Sequence, residues 1–363
     1  ALLGAVELIH MVHPDKVVRE AAAKVYQELP VLHAELIALN KPLYQVVKWY
    51  AEHKAISDSL TPEQQLFLEE MLADYKRSGL ELSDEKLAQV LALEKELSKI
   101  KVQYEINIAE DATTVIVDKN DLAGVSEGNR EALSKTEDGK YILKTDYPTM
   151  DMIMQTCSVS STRKLFYHAM NNRGYPKNIE TLTSIVALRD QLAQLLGFES
   201  FAALSLDSGM ITTPEAAWKL ENDLLPHALK KQKKEMELLL QHLPDGVVLG
   251  NDGKLNPWDI AYLVAQFKKV HYNVDEEKIA EYFPMESTID GLFAIYEAFF
   301  NVRFTKLKNS SAWHTDVQLI EVSDDKKQVL GYVFLDMFPR ENKYSHAAQF
   351  HGINARKDAI DGK

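Results

Sequence analysis

Eleven histidines, one cysteine and 54 carboxylates are the side chains from which catalysis or metal binding would have to be built in this chain. The commonest helical zinc motif, H-E-x-x-H, puts two histidines on one face and uses the glutamate to activate a bound water. The sequence does not contain it. His10 and His13 stand three apart, close enough to share a helical face, but Pro14 marks a helix boundary there, so a capping or surface role is expected. His346 and His351 fall in a tract without clear periodicity. A catalytic zinc needs three protein ligands and an open position, and no local set of residues supplies them. Cys157 is expected to be a small buried residue rather than a nucleophile. As the only cysteine it excludes an internal disulfide and a cysteine-built metal site. A phosphate-cradling G-x-x-x-x-G-K-[ST] loop is absent. The carboxylates are too many to single out a catalytic pair.

The elements that would position any site are mostly helices. Thr61-Pro62-Glu63-Gln64 reads as a helix start: Thr61 caps, Pro62 suits the first helical position and Gln64 reaches back to the cap amide. Leu66, Phe67, Met71, Leu72 and Tyr75 then recur at helical spacing. Ser83 is expected to cap a second helix whose buried stripe is Leu87, Val90, Leu91, Leu97, Ile100 and Tyr104. Near residue 113 the pattern turns to strand. Thr113 to Val117 and Lys140 to Leu143 predict a small hairpin-like insertion. Helices resume around Ser160, with Gly197 as a stop and Thr213-Pro214 as a start. The run from Pro244 to Pro257 reads as a loop. Trp258–Tyr272 and Ile289–Phe300 are predicted helices. Beyond Asn301 three strands are expected, Val302–Phe304, Asp316–Val322 and Val329–Phe338, with Ser323–Lys327 as a turn. The fold class is therefore mainly α, a helical body over 1–300 with a β insertion around 113–143, and the start of a small sheet in 301–363. No fixed-period repeat is present, which disfavours a solenoid.

The 363 residues are 46% hydrophobic and 26% charged, a globular balance, and 41 basic against 54 acidic residues give a net charge of −13. That acidity excludes nucleic acid as an expected partner. The densest basic cluster, Lys230 to Lys234, is followed at once by Glu235 and Glu237 and reads as a solvated helix face. No apolar run approaches the ~20 residues that cross a bilayer, so no membrane association is expected. Ala1–Val6 is briefly apolar but lacks a basic leader, so no signal peptide is read. A cytoplasmic location is expected, with an organellar or periplasmic one as the alternatives. With no initiator Met, the chain is expected to begin inside a longer product or after processing. Asn309-Ser310-Ser311 matches a glycosylation sequon, a triplet common by chance.

Several tracts in collinear order resemble the thimet oligopeptidase family of zinc peptidases, which includes oligopeptidase A, neurolysin and the bacterial peptidyl-dipeptidase. The most specific is Tyr332-Val333-Phe334-Leu335-Asp336-Met337-Phe338-Pro339-Arg340-Glu341-Asn342-Lys343-Tyr344-Ser345-His346-Ala347-Ala348. Trp313-His314-Thr315-Asp316-Val317 leads into it. Pro257-Trp258-Asp259, Tyr272-Asn273-Val274-Asp275, Tyr282-Phe283-Pro284, His13-Pro14-Asp15 with Arg19 to Ala22, Asp146-Tyr147-Pro148 and Leu188 to Phe198 match in order and spacing. Asn172-Arg173-Gly174-Tyr175 departs from the family, whose members often carry cysteine after the arginine.

The resemblance implies a nearly all-helical ellipsoid split by a deep channel, acting on short peptides. In the family H-E-x-x-H and a further glutamate ligand follow the long signature tract. Zinc is therefore expected in the full-length enzyme and none in this chain, and no zinc ligand or general base carries over to any residue here. The expected reading is the N-terminal and middle part of a zinc oligopeptidase, inactive alone, with the missing C-terminal half as a possible partner. The alternatives are a non-catalytic peptide-binding protein or one half of a split peptidase. Asp336, Arg340, Lys343 and His346 are the candidates to line a substrate channel, weighed against a structural ion pair between Asp336 and Arg340 that holds the turn. An extended peptide could add to the strand Val329–Phe338.

Overall fold

The computed structural model describes residues 2–55, 58–308, 312–341, 343–344 and 347–350. It is mainly α with two small antiparallel sheets. Five helices open the chain: α1 (Leu2–Val12), α2 (Lys16–His33), α3 (Lys41–His53), α4 (Pro62–Arg77) and α5 (Asp84–Ala109), with one π-helical turn at Ala34–Ala38. The predicted capping chemistry is present. Thr61 and Gln64 exchange side-chain and backbone bonds at the start of α4, at 3.3 and 3.0 Å, and Ser83 caps α5. These contacts satisfy amides that the first helical turn leaves without partners.

The β insertion is larger than a hairpin. β1 (Thr114–Val117), β2 (Ser134–Lys135) and β3 (Tyr141–Lys144) form a sheet of order β1-β3-β2, with the five-residue α6 (Glu127–Glu131) between the first two. Its inner side chains Val117, Tyr141 and Leu143 are buried with Ile153 of α7 (Tyr147–Thr156) and Phe166 of α8 (Ser160–Asn171). Cys157 lies in this core, and burial pushes its thiol pKa up, so it is inert packing.

A second core joins α5 to α9 (Lys177–Leu195) through Val90, Leu97, Ile185 and Leu192. Gly197, at φ +87°, ends α9: its N–H and that of Phe198 bond back to Gln194 and Ala193, the left-handed stop that glycine favours. The rest of the body is α10 (Phe201–Leu206), α11 (Pro214–Leu240), α12 (Ile260–His271), α13 (Glu276–Ala280) and α14 (Met285–Phe300). No residue of α11 is buried, and Lys231 pairs with Glu235 on its solvated surface.

The left-handed Asn301, at φ 52°, turns the chain from α14 into the second sheet: β4 (Val302–Leu307), β5 (Gln318–Asp324) and β6 (Val329–Leu335), in sequence order. Phe293 of α14 stacks on Phe304 of β4 with ring centroids 4.5 Å apart. Val322 pairs with Gly331 and Ser323 with Val329, so Leu330 is a bulge in β6.

Candidate functional site

β6 pairs with β5 alone among the described residues, which leaves a row of backbone donors and acceptors along its other edge. The side chains there are apolar and uncharged: Leu330 is 59% and Tyr332 57% exposed, and Val333 and Phe334 are also exposed. Soluble sheets ordinarily protect such an edge with charge, proline or a covering element. Among the described residues this one has only its bulge.

The chain leaves β6 directly into a charged node. Asp336 receives both arms of the Arg340 fork, Nη1 to Oδ1 at 2.7 Å and Nη2 to Oδ2 at 2.9 Å. Trp313 Nε1 donates to Oδ2 at 2.9 Å, and the Trp313 ring packs 5.3 Å from Phe334 of β6. Lys343 spends its ammonium on Asp336 Oδ1 (3.0 Å), the Asp336 carbonyl (2.7 Å) and the Phe338 carbonyl (2.7 Å). Burial alone would raise the Asp336 pKa, but the bonds from Arg340, Trp313 and Lys343 outweigh it and pull the carboxyl down to about 2. β6 ends at Leu335, three residues before the predicted Phe338: Leu335 lies opposite Gln318, the first residue of β5, and the next carbonyl, that of Asp336, accepts from Lys343.

Of the four residues singled out in the sequence, Asp336, Arg340 and Lys343 thus meet in one cluster, and His346 lies outside the described residues. The cluster also reaches the other end of the chain. Arg340 Nη2 donates to the Val12 carbonyl at 2.5 Å, and the Tyr344 amide donates to the Met11 carbonyl at 2.9 Å.

Sequence reasoning missed a second charged node. Arg163 and Asp259 are fully buried, bonded at 2.5 Å through Nη2 and 3.2 Å through Nε. The guanidinium also caps the carbonyls of Cys157 and Gly246 and lies 4.3 Å from the ring centroid of Tyr262. Ser160 donates to the same carboxylate at 2.8 Å. Asp259 stands in one of the tracts that carried the resemblance, and that was the available signal. Gly246 sits at φ +84°, and a Cβ there would meet the Ser158 carbonyl oxygen at 2.1 Å. Only glycine lets the 244–257 loop approach so closely.

No G-x-S-x-G nucleophile elbow is expected from the sequence, although Gly124-Val125-Ser126-Glu127-Gly128 has that spacing. Ser126 precedes the short α6 and follows a 3₁₀ turn rather than a strand, and no histidine or carboxylate bonds its hydroxyl among the described residues. It is not a nucleophile elbow.

The sequence pattern of Peptidase family M3 matches residues 153–362, and the chain belongs to that family. It is 30% identical over 366 residues to saccharolysin of Saccharomyces cerevisiae, an alignment covering 96% of this chain and 51% of that protein. It is 29% identical over 351 residues to a thimet-like oligopeptidase of Dictyostelium discoideum, covering 92% and 51%. Oligopeptidase A of Escherichia coli is 29% identical over 336 residues, covering 87% and 48%. The chain spans about half the length of the curated relatives it matches. H-E-x-x-H does not occur in the sequence, and among the described residues no group of three His, Cys, Asp or Glu could hold a metal.

Proposed function

We propose that this chain forms the helical body and the peptide-holding strand of a zinc-dependent oligopeptidase, with the metal centre and the general base supplied by polypeptide outside its 363 residues. In this reading 1–300 is a supporting body and 301–363 the start of the catalytic part. The observation that carries it is the apolar edge of β6, unpaired among the described residues, which lies inside the tract matched to the peptidase family. An extended peptide adding there would gain main-chain bonds whatever its sequence, with alternate side chains packed beside Tyr332 and Phe334. Asp336, Arg340 and Lys343 would border the channel at the strand's end. A cytoplasmic location suits a chain with one buried cysteine and, among the described residues, no helix long and apolar enough to cross a membrane.

The test is binding of a short fluorescein-labelled Val/Thr-rich peptide to the pure chain, with zinc content and cleavage measured on the same sample. The expected result is saturable binding that is lost when alternate peptide amides are N-methylated, no stoichiometric zinc and no hydrolysis. Chelator-sensitive cleavage by the pure chain would overturn the assignment of the metal centre to other polypeptide. Binding indifferent to N-methylation would remove the strand-addition reading.

A second reading, one half of a split peptidase, is favoured by α14. Its inner side meets β4, yet Leu292, Ile295, Tyr296, Phe299 and Phe300 are all exposed. A helix apolar on both sides is normally covered on both. Co-purification of a zinc-carrying polypeptide that covers α14 would separate this case from a non-catalytic peptide-binding protein.

A further inference from the structure

Two arginines hold the chain where α1 ends and the turn to α2 begins, and they differ in reach. A helix leaves its last carbonyls without intrahelical partners, and cations are favourable beside them. Arg19, from the first turn of α2, donates to the carbonyls of His13 and Pro14 at 2.8 and 2.7 Å. That local clasp holds the two residues that follow α1. The Val12 and Met11 carbonyls instead receive Arg340 and the Tyr344 amide, the arginine coming from 328 positions away. The same guanidinium holds Asp336, the first residue after β6. Its fork cannot release the carboxylate without disturbing the α1 carbonyl, because both rest on one planar group.

The side chains of Asp336, Arg340 and Lys343 are each no more than 13% exposed, and the Lys343 ammonium is saturated by three acceptors. They present little to a bound peptide directly. We infer that Arg340 is a positioning residue, a latch that joins the end of β6 to the end of α1, so that docking of a peptide along β6 and ordering of α1 are thermodynamically coupled. The coupling rests on the strand-addition reading above. It is reciprocal: whatever the peptide does to α1, release of α1 does to peptide affinity.

Hydrogen exchange read by mass spectrometry, on the chain with and without the fluorescein-labelled Val/Thr-rich peptide, tests the latch. In the native chain the peptide is expected to slow exchange across α1 and 336–344. Arg340→Lys keeps the charge but loses the fork. It is expected to speed exchange in α1 about tenfold, to weaken peptide binding about fivefold or more, and to leave β4 and β5 protected. Arg340→Ala should do the same, and millimolar ethylguanidinium should restore both α1 protection and affinity. Native chain that binds the peptide while α1 does not respond overturns the coupling and leaves the docking reading intact. Native chain that binds no peptide overturns the docking reading first. Loss of β4 and β5 protection in both variants, without rescue, shows a general structural role and overturns the latch.

Discussion

The Arg163–Asp259 and Asp336–Arg340 nodes are built for different work. Arg163–Asp259 is sealed at 0% exposure among α8, α12 and the 244–257 loop, and every group that meets it is part of the body. Asp336–Arg340 sits at 11–13% exposure where an edge strand, a tryptophan and the end of a distant helix converge. The inner pair has no alternative to its partners, because an isolated buried charge costs several kcal/mol. The outer pair sits closer to water, so its bonds can be exchanged at a smaller cost. A sealed pair holds geometry, whereas one near the surface can also transmit a change in it.

That contrast is broken or sharpened first by Asp259→Ala. It strands the Arg163 guanidinium inside the body, and an expected loss of about 3–5 kcal/mol should appear in urea unfolding. Asp336→Ala is expected to cost less, about 1–3 kcal/mol. Equal losses at the two sites would erase the distinction drawn here.

Acid separates the regions further. The folded Asp336 pKa, at about 2, lies below its ordinary value, so its stabilising contribution is present above about pH 4 and fades as pH falls toward 2. Glu105 of α5 has the opposite sign. Burial first, and then the neighbouring Glu7 charge, raise its pKa. Its contribution is greatest below its ordinary value and is lost as pH rises through the raised one. Mild acidification should therefore slow exchange where α2 meets α5 before stronger acid loosens the 336–344 segment. If both regions loosen together, the Asp336 and Glu105 carboxylates do not act independently. The smallest effect belongs to a local cap: Thr61→Ala should cost about 1 kcal/mol and leave both nodes unchanged in exchange.

Much of the fold was readable because it rests on local chemistry. The caps at Thr61, Ser83 and Thr213, the stop at Gly197 and the stripe on α5 all follow from neighbours within a few residues. In α4 the repeating apolar set was correct in spacing but not in orientation: Tyr75 is buried, whereas Leu66 and Phe67 are exposed. Periodicity finds the helix but cannot say what lies against it. β2 escaped notice because two residues carry no period, and the hairpin became a three-stranded sheet. At the site, Asp336, Arg340 and Lys343 could be picked out from the resembling tract, since four- and seven-residue separations are local. Their tie to Val12 could not, nor could Arg163 with Asp259, 96 positions apart. Such pairs are set by how the elements pack, a relation no local pattern carries.

The distance between Val12 and Arg340 also has a consequence in time. During synthesis at about 5–20 residues per second, α1 emerges roughly 15–65 s before the arginine that clasps it. Arg19 is only six positions from His13 and can clasp the turn after α1 almost at once. The far clasp must wait until nearly the whole chain described here has been made, so the N-terminal hairpin has to survive that interval on its local clasp and its packing against α5. Its fastening to the end of β6 is among the last contacts that residues 1–344 can form with one another as they emerge.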